Sequence, residues 1–240
     1  HNADQIEKLD IREGDEVFVE KGGEIIPKII AVDLTKRPEN SQPTQYITLC
    51  PECNTELVRL EGEAKHYCPN DSACPPQVVG RIQHYISRKA MDIDGLGGET
   101  VALLVKEGLI NNYSDLYELT VEQVIPLERM AAKSAENMIN GIELSKQVPF
   151  ERVLFGLGIR YVGETVAKKL AKHYKSIDAL MYASLLDLVT VDEIGERIAE
   201  SVVDFFSSEE NKQTIERLKQ FGVRLEISAE KLANQTEKLK

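Results

Sequence analysis

The sequence predicts a multi-domain, mainly α-helical chain. A β-hairpin comes first, then a four-cysteine metal knuckle, then four repeats of helix, tight hairpin and helix. Three observations carry this expectation. The four cysteines of the 240-residue chain stand in two close pairs, Cys50-Pro51-Glu52-Cys53 and Cys68-x5-Cys74. Small residues recur at Gly97, Ala131, Gly163 and Gly195, separated by 34, 32 and 32 residues. The strand-favouring pattern with a glycine turn is confined to the first thirty-odd residues.

Residues 15–32 read as a hairpin: Val17, Phe18 and Val19 form a β-favouring run, Gly22-Gly23 turns the chain, and Ile25, Ile26, Ile29 and Ile30 follow. Pro27 inside the second run places it at a sheet edge or a bulge. A lone hairpin is too little for an independent sheet. Asp33–Thr48, with Pro38, Asn40, Ser41 and Pro43, reads as a loop or linker.

The knuckle follows. Fourteen residues separate Cys53 from Cys68, and two close pairs at this distance offer four thiolates to a tetrahedral zinc ion. A redox reading of Cys50 and Cys53 leaves Cys68 and Cys74 unexplained. A disulfide reading lacks a secretory segment to support it. Four cysteines fill every position of a tetrahedral ion, so the metal is expected to hold the fold rather than catalyse. His66 is a further candidate ligand that the quartet makes unnecessary.

Beyond Cys74 the periodicity turns helical, with Val79, Ile82 and Ile86 on one segment and Val166, Leu170 and Tyr174 on another. Within this region Asp94-Gly95-Leu96-Gly97, Arg129-Met130-Ala131, Tyr161-Val162-Gly163 and Glu193-Ile194-Gly195 each open an amphipathic helix. Val101, Ala135, Ala167 and Ala199 follow four residues later. Such a repeat marks one supersecondary unit written four times. In a Gly-hydrophobic-Gly hairpin, glycine permits positive φ and close approach of a ligand. The hydrophobic residue anchors the hairpin, and free amides at the helix start favour an anion. On this reading Ala131 lies at positive φ and strains its hairpin, and Glu193 meets an anion awkwardly. Ser228–Lys240 is polar and reads as a tail.

The net charge of -11 excludes a protein that holds nucleic acid mainly through a basic surface. Residues 151–182 nonetheless carry six basic against three acidic residues, a local balance of +3. Main-chain amides bring no formal charge, so four amide nests in a row remain compatible with gripping phosphates without reading bases. Arg160, beside the third hairpin, is the strongest basic candidate, ahead of Lys168, Lys169 and Lys172. Asp92 and Asp94 read as caps rather than as half of a two-metal site. No apolar run reaches the length of a membrane span. His1 opens the chain in place of Met, and the sequence reads as a piece of something longer.

The repeats resemble helix-hairpin-helix DNA-binding motifs, and the order of parts closely resembles the C-terminal half of bacterial NAD-dependent DNA ligases. The resemblance rests on His1-Asn2, Asp10-Ile11-Arg12-Glu13-Gly14-Asp15, Gly23-Glu24-Ile25-Ile26-Pro27-Lys28, Cys50-Pro51-Glu52-Cys53, Met91-Asp92-Ile93-Asp94-Gly95-Leu96-Gly97 and Gly156-Leu157-Gly158-Ile159-Arg160. It covers residues 1 to about 227.

The resemblance implies that residues 1–48 are the C-terminal part of an oligonucleotide-binding (OB) fold with a linker. It makes residues 49–76 the zinc finger, 77–227 the helix-hairpin-helix domain, and 228–240 a tail toward a BRCT domain. It implies nicked duplex DNA as the partner, together with the remaining domains of the same ligase. No membrane partner is implied, and the setting is cytoplasmic and nucleoid-associated. DNA contacts are expected at Lys21, Ile25 and Ile26, the isoleucines against the minor groove, and at Gly95, Gly97, Ala131, Arg160, Gly163 and Gly195. The family's Lys-x-Asp-Gly motif is absent from this sequence. No catalytic residue is therefore assigned here, and NAD and magnesium are expected to serve domains outside the chain. The competing expectation is a stand-alone zinc and helix-hairpin-helix scaffold with no ligase chemistry.

Overall fold

The computed structural model describes residues 2–23, 26–128 and 130–228, which divide at Cys74/Pro75 into two units. In the first unit, Asn2 caps helix α1 (Ala3–Leu9) by accepting from the Gln5 amide, and the chain leaves the helix through Asp10 at φ 43°. Strands β1 (Val17–Gly22) and β2 (Ile26–Val32) pair antiparallel from Val17↔Val32 to Gly22↔Ile26, with a bulge at Phe18/Val19. Pro27 lies opposite Lys21. Both strands of a two-stranded ribbon are edges, so proline is accommodated there. Phe18, Val19, Ile26, Ile29 and Ile30 are all exposed, and only Val17, Ala31 and Val32 at the ribbon's open end are half-buried. Ile25 and Glu24 lie outside the described residues.

Charge organises the loops around this ribbon. Arg37 donates from Nε to Asp15 Oδ1 (2.9 Å) and from Nη1 to Asp10 Oδ2 (2.7 Å), while Arg12 Nε donates to Asp10 Oδ1 (3.1 Å). Hydrogen bonds from Arg12 and then Arg37 hold the Asp10 carboxyl down at about 2, and Arg37 lowers Asp15. A depressed carboxyl stabilises the folded state above its unfolded value near 4 and ceases to do so as pH falls through the folded value. This loop cluster is therefore expected to persist at pH 4 and to come apart toward pH 2. Side-chain NMR of Arg37 across an acid titration would follow it, and loss of the cluster already at pH 5 would contradict the assignment.

The second unit is helical. α2 (Pro75–Ile86) and α3 (Gly98–Lys106) are followed by a 3-10 segment, Tyr113–Glu118, closed by a capping box on Asn112. Then come α4 (Val121–Val124), α5 (Ala132–Ser145), α6 (Phe150–Gly156), α7 (Glu164–Tyr174), α8 (Ile177–Met181), α9 (Leu185–Val189), α10 (Glu196–Ser207) and α11 (Glu209–Gln220). One core runs through all of them and includes Ile82, Tyr85, Leu104, Met138, Phe150, Leu154, Leu170 and Leu218. Each large apolar side chain buried there contributes about 1.5–3 kcal/mol. On α2 the inward stripe is Val78, Ile82, Tyr85 and Ile86; Val79, expected on it, is only partly buried. A polar chain enters the core: Tyr85 Oη lies 2.9 Å from Tyr117 Oη, which lies 3.1 Å from Ser145 Oγ. Among the described residues no helix is long and apolar enough to cross a membrane.

Candidate metal centre and nucleic-acid interface

The four cysteines of the first unit converge. Their sulfurs all lie within 4.8 Å of one another, with Cys50–Cys74 at 3.9 Å and Cys53–Cys68 at 3.5 Å. Tetrahedral thiolates at zinc–sulfur distances near 2.3 Å stand about 3.8 Å apart, so the cage fits that ion. All four are free rather than disulfide-bonded. Local backbone builds the knuckle: the Asn54 amide donates to Cys50 O, the Cys50 amide donates to Thr55 O, both at 2.8 Å, and Asn54 takes φ 56°. Thr55 Oγ1 lies 3.1 Å from Cys53 Sγ, and bonds from the Thr55 hydroxyl and amide pull the Cys53 thiol down to about 6. Burial pushes the Cys68 thiol up. A bound zinc would supply a closed tetrahedral crosslink with no open coordination position. His66 stands outside the cage, its ring 4.7 Å from Tyr46.

In the second unit, α3, α7 and α10 are each entered through a turn with a buried anchor and an exposed glycine, and α5 is entered through exposed Ala131 behind the half-buried Met130. Leu96, Val162 and Ile194 are buried, and Met130 packs against the core. Gly97, Ala131, Gly163 and Gly195 are exposed. Four residues on, Val101, Ala135, Ala167 and Ala199 are fully buried. Their amides make the first helical bonds, donating to the carbonyls of Gly97, Ala131, Gly163 and Gly195 at 2.9–3.0 Å. The amides between have no partner in the helix ladder, except that of Ile198, which also donates to Gly195 O at 3.0 Å.

The backbone corrects one expectation. Gly97, Ala131, Gly163 and Gly195 are helix N-caps with φ of -96°, -88°, -77° and -80°. Ala131 is therefore unstrained. Positive φ falls two residues earlier, at Gly95 (77°), Tyr161 (64°) and Glu193 (63°). Arg129, the corresponding residue of the second hairpin, lies outside the described residues. An N-cap takes extended geometry so that its carbonyl can start the helix; the turn that reverses the chain comes before it.

Glycine at these caps has no internal explanation. A Cβ added at Gly97, Gly163 or Gly195 would meet nothing within 4 Å. A serine or aspartate there would cap the helix and add roughly a few tenths of a kcal/mol. Asn2, Ser176, Ser184 and Ser208 do this for α1, α8, α9 and α11. α3, α5, α7 and α10 have no side-chain cap, a lack shared by α6, which enters from Pro149. Gly95 is different: its φ of 77° and the Met138 amide nitrogen, 3.2 Å from an added Cβ, both favour glycine.

The remaining candidates take varied places. Arg160 is exposed, its guanidinium 5.1 Å from the Tyr161 ring centroid. Lys168 and Lys172 are exposed, whereas Lys169 is committed to Asp192 (3.0 Å) and Glu193 (2.8 Å). Glu193 is thus charge-paired. Asp94 Oδ1 accepts from the Gly95 amide (3.0 Å), and Asp92 lies 3.7 Å from Arg152. Lys21 and Ile26 are exposed on the ribbon of the first unit, Ile26 at 76%.

Arg152 counts among the six basic residues of 151–182, and the structure gives it a specific place. From α6 it donates to Ala90 O (2.8 Å) and Arg88 O (2.6 Å), holding the segment that leads into the first hairpin. Nothing in its local pattern signals a partner more than sixty residues away.

Three family models match this sequence: an NAD-dependent DNA ligase OB-fold domain over residues 1–41, an NAD-dependent DNA ligase C4 zinc finger domain over 50–75, and a helix-hairpin-helix motif over 152–215. Among curated relatives, a DNA ligase of Christiangramia forsetii is 74% identical over 236 residues, which is 98% of this chain and 36% of the relative. A DNA ligase of Flavobacterium johnsoniae is 74% identical over 238 residues, 99% of this chain and 36% of the relative. A DNA ligase of Phocaeicola vulgatus is 59% identical over 239 residues, again 36% of the relative. The chain thus spans about a third of the length of these relatives.

Proposed function

We propose that this chain, which belongs to the NAD-dependent DNA ligase family, is the part that grips nicked duplex DNA while the chemistry proceeds elsewhere. The observation that carries this reading is the set of bare helix starts: α3, α5, α7 and α10 all forgo a side-chain cap, three of them at glycines that nothing inside the chain demands. Four copies of the hairpin offer amides and helix dipoles to successive backbone phosphates. Because amides carry no charge, such a grip is consistent with the net charge of -11. Lys21 and Ile26, with Ile25, are assigned to the DNA face of the OB segment against the minor groove. Zinc holds the module of residues 49–76, and residues 77–227 form the hairpin domain. The whole ligase is assigned nick sealing with NAD and magnesium, in the cytoplasm at the nucleoid. This chain, without Lys-x-Asp-Gly, is assigned no adenylation step.

Aspartate at a hairpin N-cap separates the two roles of that position. Gly163→Asp supplies a cap, so helix stability should be retained or rise by roughly a few tenths of a kcal/mol. The same carboxylate faces the incoming phosphate, so affinity for a labelled nicked duplex should fall at least about tenfold. The parent's affinity should also depend only shallowly on salt, since few counterions are released. Anisotropy titrations and thermal melts of the parent, Gly97→Asp, Gly163→Asp and Gly195→Asp chains test this together. Parental affinity in all three variants would sink the hairpin reading.

A further inference from the structure

Tyr161 and Glu193 occupy the left-handed backbone region, which non-glycine residues seldom take and bulky ones least of all. In the first hairpin the equivalent residue is Gly95, at φ 77°. Each of the two non-glycine residues reaches out of its own hairpin and onto the other. The Tyr161 ring receives the Arg197 guanidinium 4.3 Å from its centroid, and Arg197 Nη2 donates to Tyr161 Oη at 2.6 Å. Arg197 sits in the first turn of α10, directly behind Gly195. In return, the Glu193 carboxylate lies 2.8 Å from Lys169 Nζ on α7, the helix that Gly163 opens, and Asp192 lies 3.0 Å from the same amine. A cation in the first turn of a helix opposes the helix dipole, so Arg197 is there for its partner rather than for α10.

The two bridges run in opposite directions between the same two hairpins. We propose that Tyr161–Arg197 and Glu193–Lys169 are a reciprocal brace that fixes the third and fourth hairpins as one rigid double clamp, with Tyr161 and Glu193 as positioning residues for phosphate binding. The proposal rests on the DNA-gripping role of the hairpins. It explains why glycine, the easier residue for that backbone, is absent at 161 and 193: glycine has no side chain to reach across. Preorganisation of two contact points raises affinity by removing the ordering that binding would otherwise require.

The test uses the whole chain and a short fluorescein-labelled nicked duplex, with thermal melts beside each titration. Tyr161→Gly relieves the backbone while removing the brace, so its melting midpoint should stay near the parent's and its affinity should drop about fivefold. Tyr161→Phe keeps the ring under the guanidinium and should bind within about twofold of the parent. Arg197→Met should lose as much as Tyr161→Gly, and the double variant should lose no more than either. Additive losses would mean that the two side chains touch DNA separately and would overturn the brace. Parental affinity in both single variants would overturn it too, as would a loss that merely follows falling stability. Gly163→Asp in the same series separates the two levels. If it is impaired while Tyr161→Gly is not, only the brace fails; if it binds as the parent does, the DNA reading fails and takes the brace with it.

Discussion

Stripping the metal with a strong chelator is expected to unfold residues 2–74 while the helical signal of residues 75–228 survives. Among the described residues of the first unit only Cys50, Cys68 and Cys74 are buried, with Cys53 and Leu57 packed against them. Its ribbon exposes Phe18, Val19, Ile26, Ile29 and Ile30, so it contributes no apolar core. A unit of this size is marginal even with an apolar core, and this one has none beyond the cysteine cluster. Structural zinc supplies apparent binding energies on the order of 10–16 kcal/mol, far more than the ion pairs of Arg37 and Arg59 can offer. The second unit has a core without cysteine, in which Tyr85, Phe150 and Leu154 are each almost fully buried. Zinc release into an indicator, followed beside circular dichroism and hydrogen exchange, measures both units at once. Cys74→Ser should reproduce the chelator's effect. Persistent exchange protection in residues 50–74 after complete zinc release would show that the thiol cage is not what holds this unit.

The parts of the molecule that the sequence announced are those set by local spacing. The cysteine quartet closes into one cage because each pair sits on a short turn, and the i, i+4 small residues fall on the buried face because a helix brings them there. The hairpin anchors Leu96, Val162 and Ile194 were legible for the same reason. What failed was the assignment of backbone conformation inside the hairpin. Positive φ was attached to the most regular glycine, whereas the chain reverses two residues earlier, where only Gly95 advertises it. Tyr161 and Glu193 hide the turn because their strain is compensated by long-range partners. The same limit hid the roles of Arg152, Arg197 and Lys169, which depend on residues brought close by the fold. Ile25 and Arg129 fall outside the described residues, and their assignments rest on pattern alone.

A single methyl group at Gly141 is expected to destabilise the helical unit, although alanine is the better helix former. Gly141 lies inside α5, where replacement by alanine would ordinarily gain about 1 kcal/mol. Its added Cβ, however, would stand 2.4 Å from the carbonyl oxygen of Asp94. That atom is backbone, so no rotamer change can relieve the overlap; the first hairpin must move as a body. The hairpin is fitted closely to the same helix at Gly95 too, where an added Cβ would stand 3.2 Å from the Met138 amide nitrogen. Overpacking of this kind costs about 3 kcal/mol, leaving a net loss of about 2 kcal/mol and a fall in melting midpoint of about 5 °C. Gly80→Ala is the internal control: Gly80 is also helical, an added Cβ there meets nothing within 4 Å, and the propensity gain of about 1 kcal/mol should appear undiminished. Urea unfolding of both variants decides the matter, and a Gly141→Ala chain as stable as Gly80→Ala would refute the close approach of hairpin and helix. Since the displaced group is the hairpin itself, Gly141→Ala should also weaken binding of a nicked duplex, whereas Gly97→Asp should weaken binding with stability retained. The two substitutions act on the same hairpin from opposite sides, one through the helix behind it and one at the amides in front.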